Sequence, residues 1–151
     1  MKNSKNINRI KKLRKLISDN QLDAFLVPHE DEFLSEYLPK YTERLKWITG
    51  FTGSAGLSII STNKAAIFVD GRYTTQVKLE TSNKVFDYFH LINPGLFKWI
   101  EKNPYKLKRL GFDPRTVSQS NYKALNYSCA KKGIKLIESK NLIDELWSRK
   151  K

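Results

Sequence analysis

His29 stands beside Glu30, Asp31, Glu32 and Glu36, a mixture of imidazole and carboxylates that invites a metal reading. Divalent-metal hydrolysis needs several such ligands brought to one point from separate rigid elements. The only other histidine, His90, falls in an apolar run far along the chain, so His29 reads as a polar surface or interface histidine and His90 as packed or edge-exposed. Ser54 sits in a glycine-rich turn, but Gly53-Ser54-Ala55-Gly56 lacks the Gly-x-Ser-x-Gly spacing of a nucleophile elbow. Cys129 is the single cysteine, falls inside a helical segment and has no nearby signature of thiolate activation, so it reads as a buried or partly buried thiol. No catalytic residue, metal ligand set or cofactor is assigned to the chain itself.

Arg72 is more informative. Asp70-Gly71-Arg72-Tyr73 closes an apolar run and places one cation at a strand end, a common position for ligand contacts in α/β folds. A guanidinium fork there can clamp a carboxylate. Asp70 as the structural partner of Arg72 is an equally economical account, and both stand. Arg44 and Tyr37 invite the same treatment with less force. Gly50, Gly53 and Gly56 are as dense as a phosphate cradle, but the spacing matches neither GxxxxGK[ST] nor GxGxxG. Together with Ser54 they read as a structural loop whose glycines let backbone approach a neighbour closely.

Alternating elements must position these residues. Ile7, Ile10, Leu13, Leu16 and Ile17 recur at helical spacing, predicting an amphipathic helix over 6–19 that docks on a sheet. Residues 22–27 read as a buried strand stopped by Pro28, and 41–48 as a short helical stretch. Segments 57–61 and 65–69, separated by Thr62-Asn63-Lys64, fit a hairpin. A helix is predicted to start at 73, a strand over 85–92, a helix over 96–102, a short strand over 110–112, a helix over 118–132 ended by Gly133, a strand over 134–137, and a terminal helix over 141–148 with Leu142, Ile143, Leu146 and Trp147 as its apolar face. This order implies an α/β fold, a mixed sheet with helices on its faces, in a single domain over 1–151.

Composition bounds the rest. With 151 residues, 40% hydrophobic and 28% charged, the chain has globular rather than disordered character and is long enough to bury a core without disulfides. No apolar run approaches the roughly 20 residues that span a bilayer, and Met1-Lys2-Asn3-Ser4-Lys5-Asn6 is followed by no apolar stretch, so neither a transmembrane segment nor a cleaved leader is expected. The lone cysteine is compatible with a reducing cytoplasm. The net charge of +13, from 28 Lys and Arg against 15 Asp and Glu, suggests nucleic acid or acidic membrane as partner. No zinc-finger spacing, RNA-binding aromatic signature or GxxG clamp accompanies it, so nucleic acid is disfavoured against a solvated lysine-rich surface or an acidic partner surface.

Several landmarks together carry a resemblance: Asp23-Ala24-Phe25-Leu26-Val27-Pro28, Asp31-Glu32-Phe33-Leu34-Ser35-Glu36-Tyr37, Arg44, Gly50-Phe51-Thr52-Gly53-Ser54-Ala55-Gly56, Asp70-Gly71-Arg72-Tyr73, Gly111-Phe112-Asp113-Pro114 and Leu142-Ile143-Asp144-Glu145-Leu146-Trp147. In order and spacing these resemble the amino-terminal domain of Xaa-Pro aminopeptidases, also called aminopeptidase P, over nearly the whole chain. The resemblance implies a creatinase/prolidase amino-terminal fold with a roughly six-stranded sheet. It also implies that metal-dependent release of a residue preceding proline belongs to a separate pita-bread catalytic domain with a pair of divalent ions, usually manganese. The implied partners are that catalytic domain or a second copy of the chain, with peptide bound only in the assembled enzyme. Many relatives carry histidine where this chain has Phe33, which neither hydrogen-bonds as imidazole nor titrates. Tyr37, Arg44 and Arg72 still match and are the candidates for residues facing a cleft or subunit interface.

Overall fold

The computed structural model of the chain describes residues 4–29 and 43–148. Tyr37, Phe33 and the acidic residues Glu30, Asp31, Glu32 and Glu36 lie outside the described residues. In α1 (Ser4–Asp19), Ile10, Leu13 and Ile17 form the buried stripe that their spacing predicts. The strands β1 (Ala24–Pro28), β2 (Gly56–Ser61), β3 (Ala65–Val69), β4 (Asp87–His90), β5 (Arg109–Phe112) and β6 (Lys135–Glu138) form one six-stranded sheet in the order β4-β3-β2-β1-β5-β6. β2 is antiparallel to both β1 and β3, and the other pairings are parallel. The fold is thus the mixed six-stranded α/β sheet flanked by helices that the sequence implies.

Alternation along the strands feeds two cores. Phe25, Val27, Ile60, Ile67 and Val69 point to one face, where α1, α2 (Arg44–Thr49), α3 (Thr74–Glu80) and α6 (Leu142–Leu146) supply Leu13, Ile48, Val77 and Leu142. Ala24, Leu26, Ile59, Ala66 and Phe68 point to the other, covered by α4 (Leu96–Lys102) and α5 (Gln119–Lys131) through Trp99, Ile100, Leu125 and Cys129. Strands buried on both faces must be apolar throughout, which is why residues 65–69 carry no polar side chain. Each fully buried Phe of this sheet, such as Phe25 or Phe68, contributes about 2–3 kcal/mol of transfer free energy.

Several boundaries differ from the sequence reading. The strand predicted over 85–92 is confined to Asp87–His90, because Phe86 turns into the core and Leu91–Gly95 forms a kinked turn broken at Asn93 (φ −137°, ψ 106°). A 3₁₀ turn over Gly71–Tyr73 precedes α3. The terminal helix is only Leu142–Leu146: Asn141 caps it, and Trp147 leaves it with φ −99° and ψ 98°. The Trp147 ring then stacks on Trp47, with centroids 5.5 Å apart and planes 19° from parallel.

Candidate interface at the carboxyl edge of the sheet

Five strands run the same way, so their carboxyl ends and the amino end of β2 share one edge. The glycine loop lies there. α2 ends on Gly50, whose φ of +89° is the left-handed cap that glycine adopts without strain. A Cβ at Gly50 would lie 2.8 Å from the Glu80 carbonyl oxygen, and one at Gly53 would lie 2.2 Å from the Phe51 ring. Removing side chains lets the loop fold over buried Phe51 and press against the end of α3. Hydrogen bonds fix it: the Thr52 amide and hydroxyl donate to the Glu80 carboxylate at 2.9 and 2.6 Å, and Gln76 Nε2 donates to Thr52 Oγ1 at 2.9 Å. Burial pushes the Glu80 carboxyl up, but the bonds from Thr52 and Gln76 outweigh it and hold the group below the usual carboxylate range.

The loop is also tied to the Asp70-Gly71-Arg72-Tyr73 turn. Ser54 Oγ and the Tyr73 hydroxyl are 2.6 Å apart, and this bond lowers the phenol below its ordinary range. Asp70 accepts from the Arg72 amide at 2.9 Å and from Arg72 Nε at 3.0 Å. The amide bond, then the guanidinium, holds the Asp70 carboxyl below its usual range. The structural account of this pair is the one the geometry shows. Asp70 is the partner of Arg72, and the Arg72 side chain remains 71% exposed beside the Tyr73 ring. Gly71 lies against the His90 imidazole, on the exposed end of β4.

A second turn repeats the device. After β5, Asp113 accepts from the Arg115 amide at 2.9 Å and from Arg115 Nε at 3.1 Å. Arg115 also approaches Asp144 at 3.8 Å, and Arg44 forks onto Asp144 at 2.9 and 3.1 Å. Arg44, read from the sequence as facing a cleft or interface, is 4% exposed and joins α2 to α6 within the fold, because its guanidinium is engaged by Asp144. Arg115 escaped the sequence reading, and Asp113 and Asp144 entered it only as landmarks of the resemblance, with no role assigned. The signal was the shared Asp-x-Arg spacing at the ends of β3 and β5.

Between β1, the glycine loop, the Leu91–Gly95 turn and α5 lies a hollow of about 640 Å³. Its walls include Leu26, Leu57, Leu96 and Val117, with His29, Ser54 and Asn121 among its polar groups. Ile92 and Phe97 on its lining are 86% and 37% exposed. Hydrophobic patterning alone did not mark this hollow, since Ile92 reads as the end of a strand. Cys129 is buried in the second core, and burial pushes its thiol up to about 11. Among the described residues no three of His, Cys, Asp and Glu come together to hold a metal ion.

Comparison with known proteins agrees with this architecture. A probable Xaa-Pro aminopeptidase P of Talaromyces marneffei is 34% identical over 150 residues, which are 95% of this chain and 22% of that protein. That of Penicillium rubens is 33% identical over 150 residues, 95% of this chain and 24% of its own length. The chain thus spans less than a quarter of the curated relatives it matches. Among solved structures, the X-prolyl aminopeptidase of Caenorhabditis elegans, described as a cytosolic enzyme with a di-nuclear active site, superposes with a TM-score of 0.86 at 24% identity, covering 95% of this chain and 26% of that one. An Xaa-Pro aminopeptidase structure from Streptococcus pyogenes superposes with a TM-score of 0.75 at 23% identity, covering 95% of this chain and 98% of that one. The family model of the creatinase/prolidase N-terminal domain matches residues 9–146, and the chain belongs to that family.

Proposed function

We propose that this chain, as one domain over residues 1–151, is the non-catalytic amino-terminal domain of a metal-dependent Xaa-Pro aminopeptidase. Its carboxyl edge meets a catalytic polypeptide and shapes how a peptide reaches it. Arg72 carries the reading. Its Nε is fixed by Asp70 while the side chain stays largely exposed. A guanidinium held in place loses little freedom when it receives a carboxylate from a facing domain or a peptide end. The exposed apolar residues Ile92 and Phe97 on the nearby hollow suit the same contact. The divalent pair belongs, on this reading, to the catalytic polypeptide, and the cytosolic description of the nematode relative supports a cytoplasmic location.

The test is hydrolysis of an Xaa-Pro peptide with manganese by the chain, by a catalytic polypeptide of the family, and by both together. Turnover only when the catalytic polypeptide is present, altered in kcat/KM by this chain, is the expected result. Arg72→Ala should then raise KM or weaken assembly by roughly threefold to tenfold, the scale of one solvent-exposed hydrogen bond, without changing metal content. Unchanged kinetics and assembly would remove Arg72 from the reading, and turnover by the chain alone would overturn the non-catalytic assignment. Sedimentation distinguishes pairing with the catalytic polypeptide from pairing of two copies of this chain.

A further inference from the structure

The amino edge of the sheet, opposite Arg72, carries charge that the proposed function leaves unexplained. β1, β3, β4, β5 and β6 begin at this edge, and α1, α4 and α5 end there. Lys64 lies in the β2–β3 turn, Lys84 before β4, Lys106 and Lys108 before β5, Lys132 after α5 and Lys135 at the start of β6; all are exposed. None of the six forms an ion pair with a described residue. Adjacent strands are about 4.8 Å apart, so the row crosses roughly 24 Å from β4 to β6.

Carboxylates along this edge are engaged within the fold. Asp23 accepts the amides of Lys108 and Arg109 at 2.7 and 2.9 Å, Asp87 accepts the Tyr105 hydroxyl, and Glu101 binds Ser128 and Lys131. Complementing a helix C-terminus accounts for Lys102 and Lys131. It does not account for Lys64, Lys84, Lys106, Lys108 and Lys135, which sit in turns and at a strand start. The backbone adds a second observation. Lys106 has φ +55°, a conformation costing a side-chain-bearing residue about 1 kcal/mol. Asn103 enforces it, accepting from the Leu107 amide at 2.8 Å and donating to the Leu107 carbonyl at 3.0 Å. Glycine would relax that position, whereas lysine holds a cation on the row.

We infer that this edge is a docking surface for the acidic face of a protein partner. Carbonyls in the last turns of α1, α4 and α5 are taken by the amides of Asn20, Leu22, Asn103, Gly133 and Ile134, so what this edge offers a partner is its ammonium groups. The acidic face of a polypeptide brings separate carboxylates, each able to meet one ammonium group of the row. The cations of the row are compact ammonium groups, without the fork that reads phosphates or bases in pairs. Among the described rings near it, Tyr105 lies under Lys64 and edge-on to Trp99, and the exposed Tyr127 carries Lys131 over its face at 4.6 Å.

The test measures binding of labelled poly-L-glutamate by fluorescence anisotropy at fixed ionic strength. One variant carries Lys106→Glu, Lys108→Glu, Lys132→Glu and Lys135→Glu; the other carries Lys5→Glu, Lys11→Glu, Lys12→Glu and Lys98→Glu, the same change of charge away from this edge. Saturable binding weakened about tenfold or more by the first, the sum of four exposed ion pairs, and less than about threefold by the second is expected. Circular dichroism checks folding, and glutamine at the same positions replaces any glutamate set that unfolds. Equal losses in the two variants, tighter binding of a duplex DNA at matched charge concentration, or binding only to phosphatidylserine vesicles would overturn the inference.

Discussion

Arg44 and Asp144 are separated by most of the chain, and their fork joins α2 to the last helix. Removing one partner of a buried pair leaves a charge that the surroundings do not solvate. Asp144→Ala is therefore expected to lower the unfolding free energy by about 3 kcal/mol, read from urea denaturation. Glu80 sets a pH dependence. Its folded carboxyl titrates below its unfolded value, so its stabilising contribution is complete above the unfolded range and is lost as pH falls through the folded one. Hydrogen exchange at the Thr52 amide should accelerate, relative to core amides, as pH drops below the ordinary carboxylate range. In Glu80→Gln that acid-induced step should be absent.

At the scale of elements, the glycine loop works by close approach as much as by backbone conformation. Gly50 and Gly133 both have positive φ, but a Cβ at Gly133 meets nothing within 4 Å, while one at Gly50 meets the Glu80 carbonyl at 2.8 Å. Gly133→Ala should cost about 1 kcal/mol, the conformational penalty alone. Gly50→Ala should cost about 2–3 kcal/mol, because overpacking adds to that penalty. Equal losses in thermal or urea unfolding would show that the contact with α3 relaxes freely. The two Asp-x-Arg turns are a related device at element ends: in each, the aspartate caps the turn and aims the guanidinium that follows.

The whole molecule carries +13 at neutral pH. Like charges repel in the compact state and salt screens them, the Debye length shrinking from about 30 Å at 0.01 M to about 8 Å at 0.15 M. The melting temperature should rise over that interval, the reverse of a protein held mainly by surface ion pairs. A fall would mean that pairs such as Lys140 with Glu145, at 2.8 Å, outweigh the surplus.

The sequence by itself determined the layers. Period-two alternation in Phe25, Leu26 and Val27, helical spacing in Ile10, Leu13 and Ile17, and glycines at Gly50 and Gly133 are local consequences of strand, helix and turn geometry, and each is legible without knowing its neighbours. The spacing of Asp70 and Arg72 allowed their pairing but left a ligand role for Arg72 equally open. Only the tertiary structure decided which charges face out. Arg44 and Arg72 are the same residue type, but Asp144 reaches one from 100 residues away and buries it, while Asp70 holds the other at the surface. Strand order was equally hidden, since β1 lies between β2 and β5, and that order assembles both the hollow at one edge and the lysine row at the other. Long-range contacts of this kind depend on where segments meet in space, and local periodicity carries no record of that.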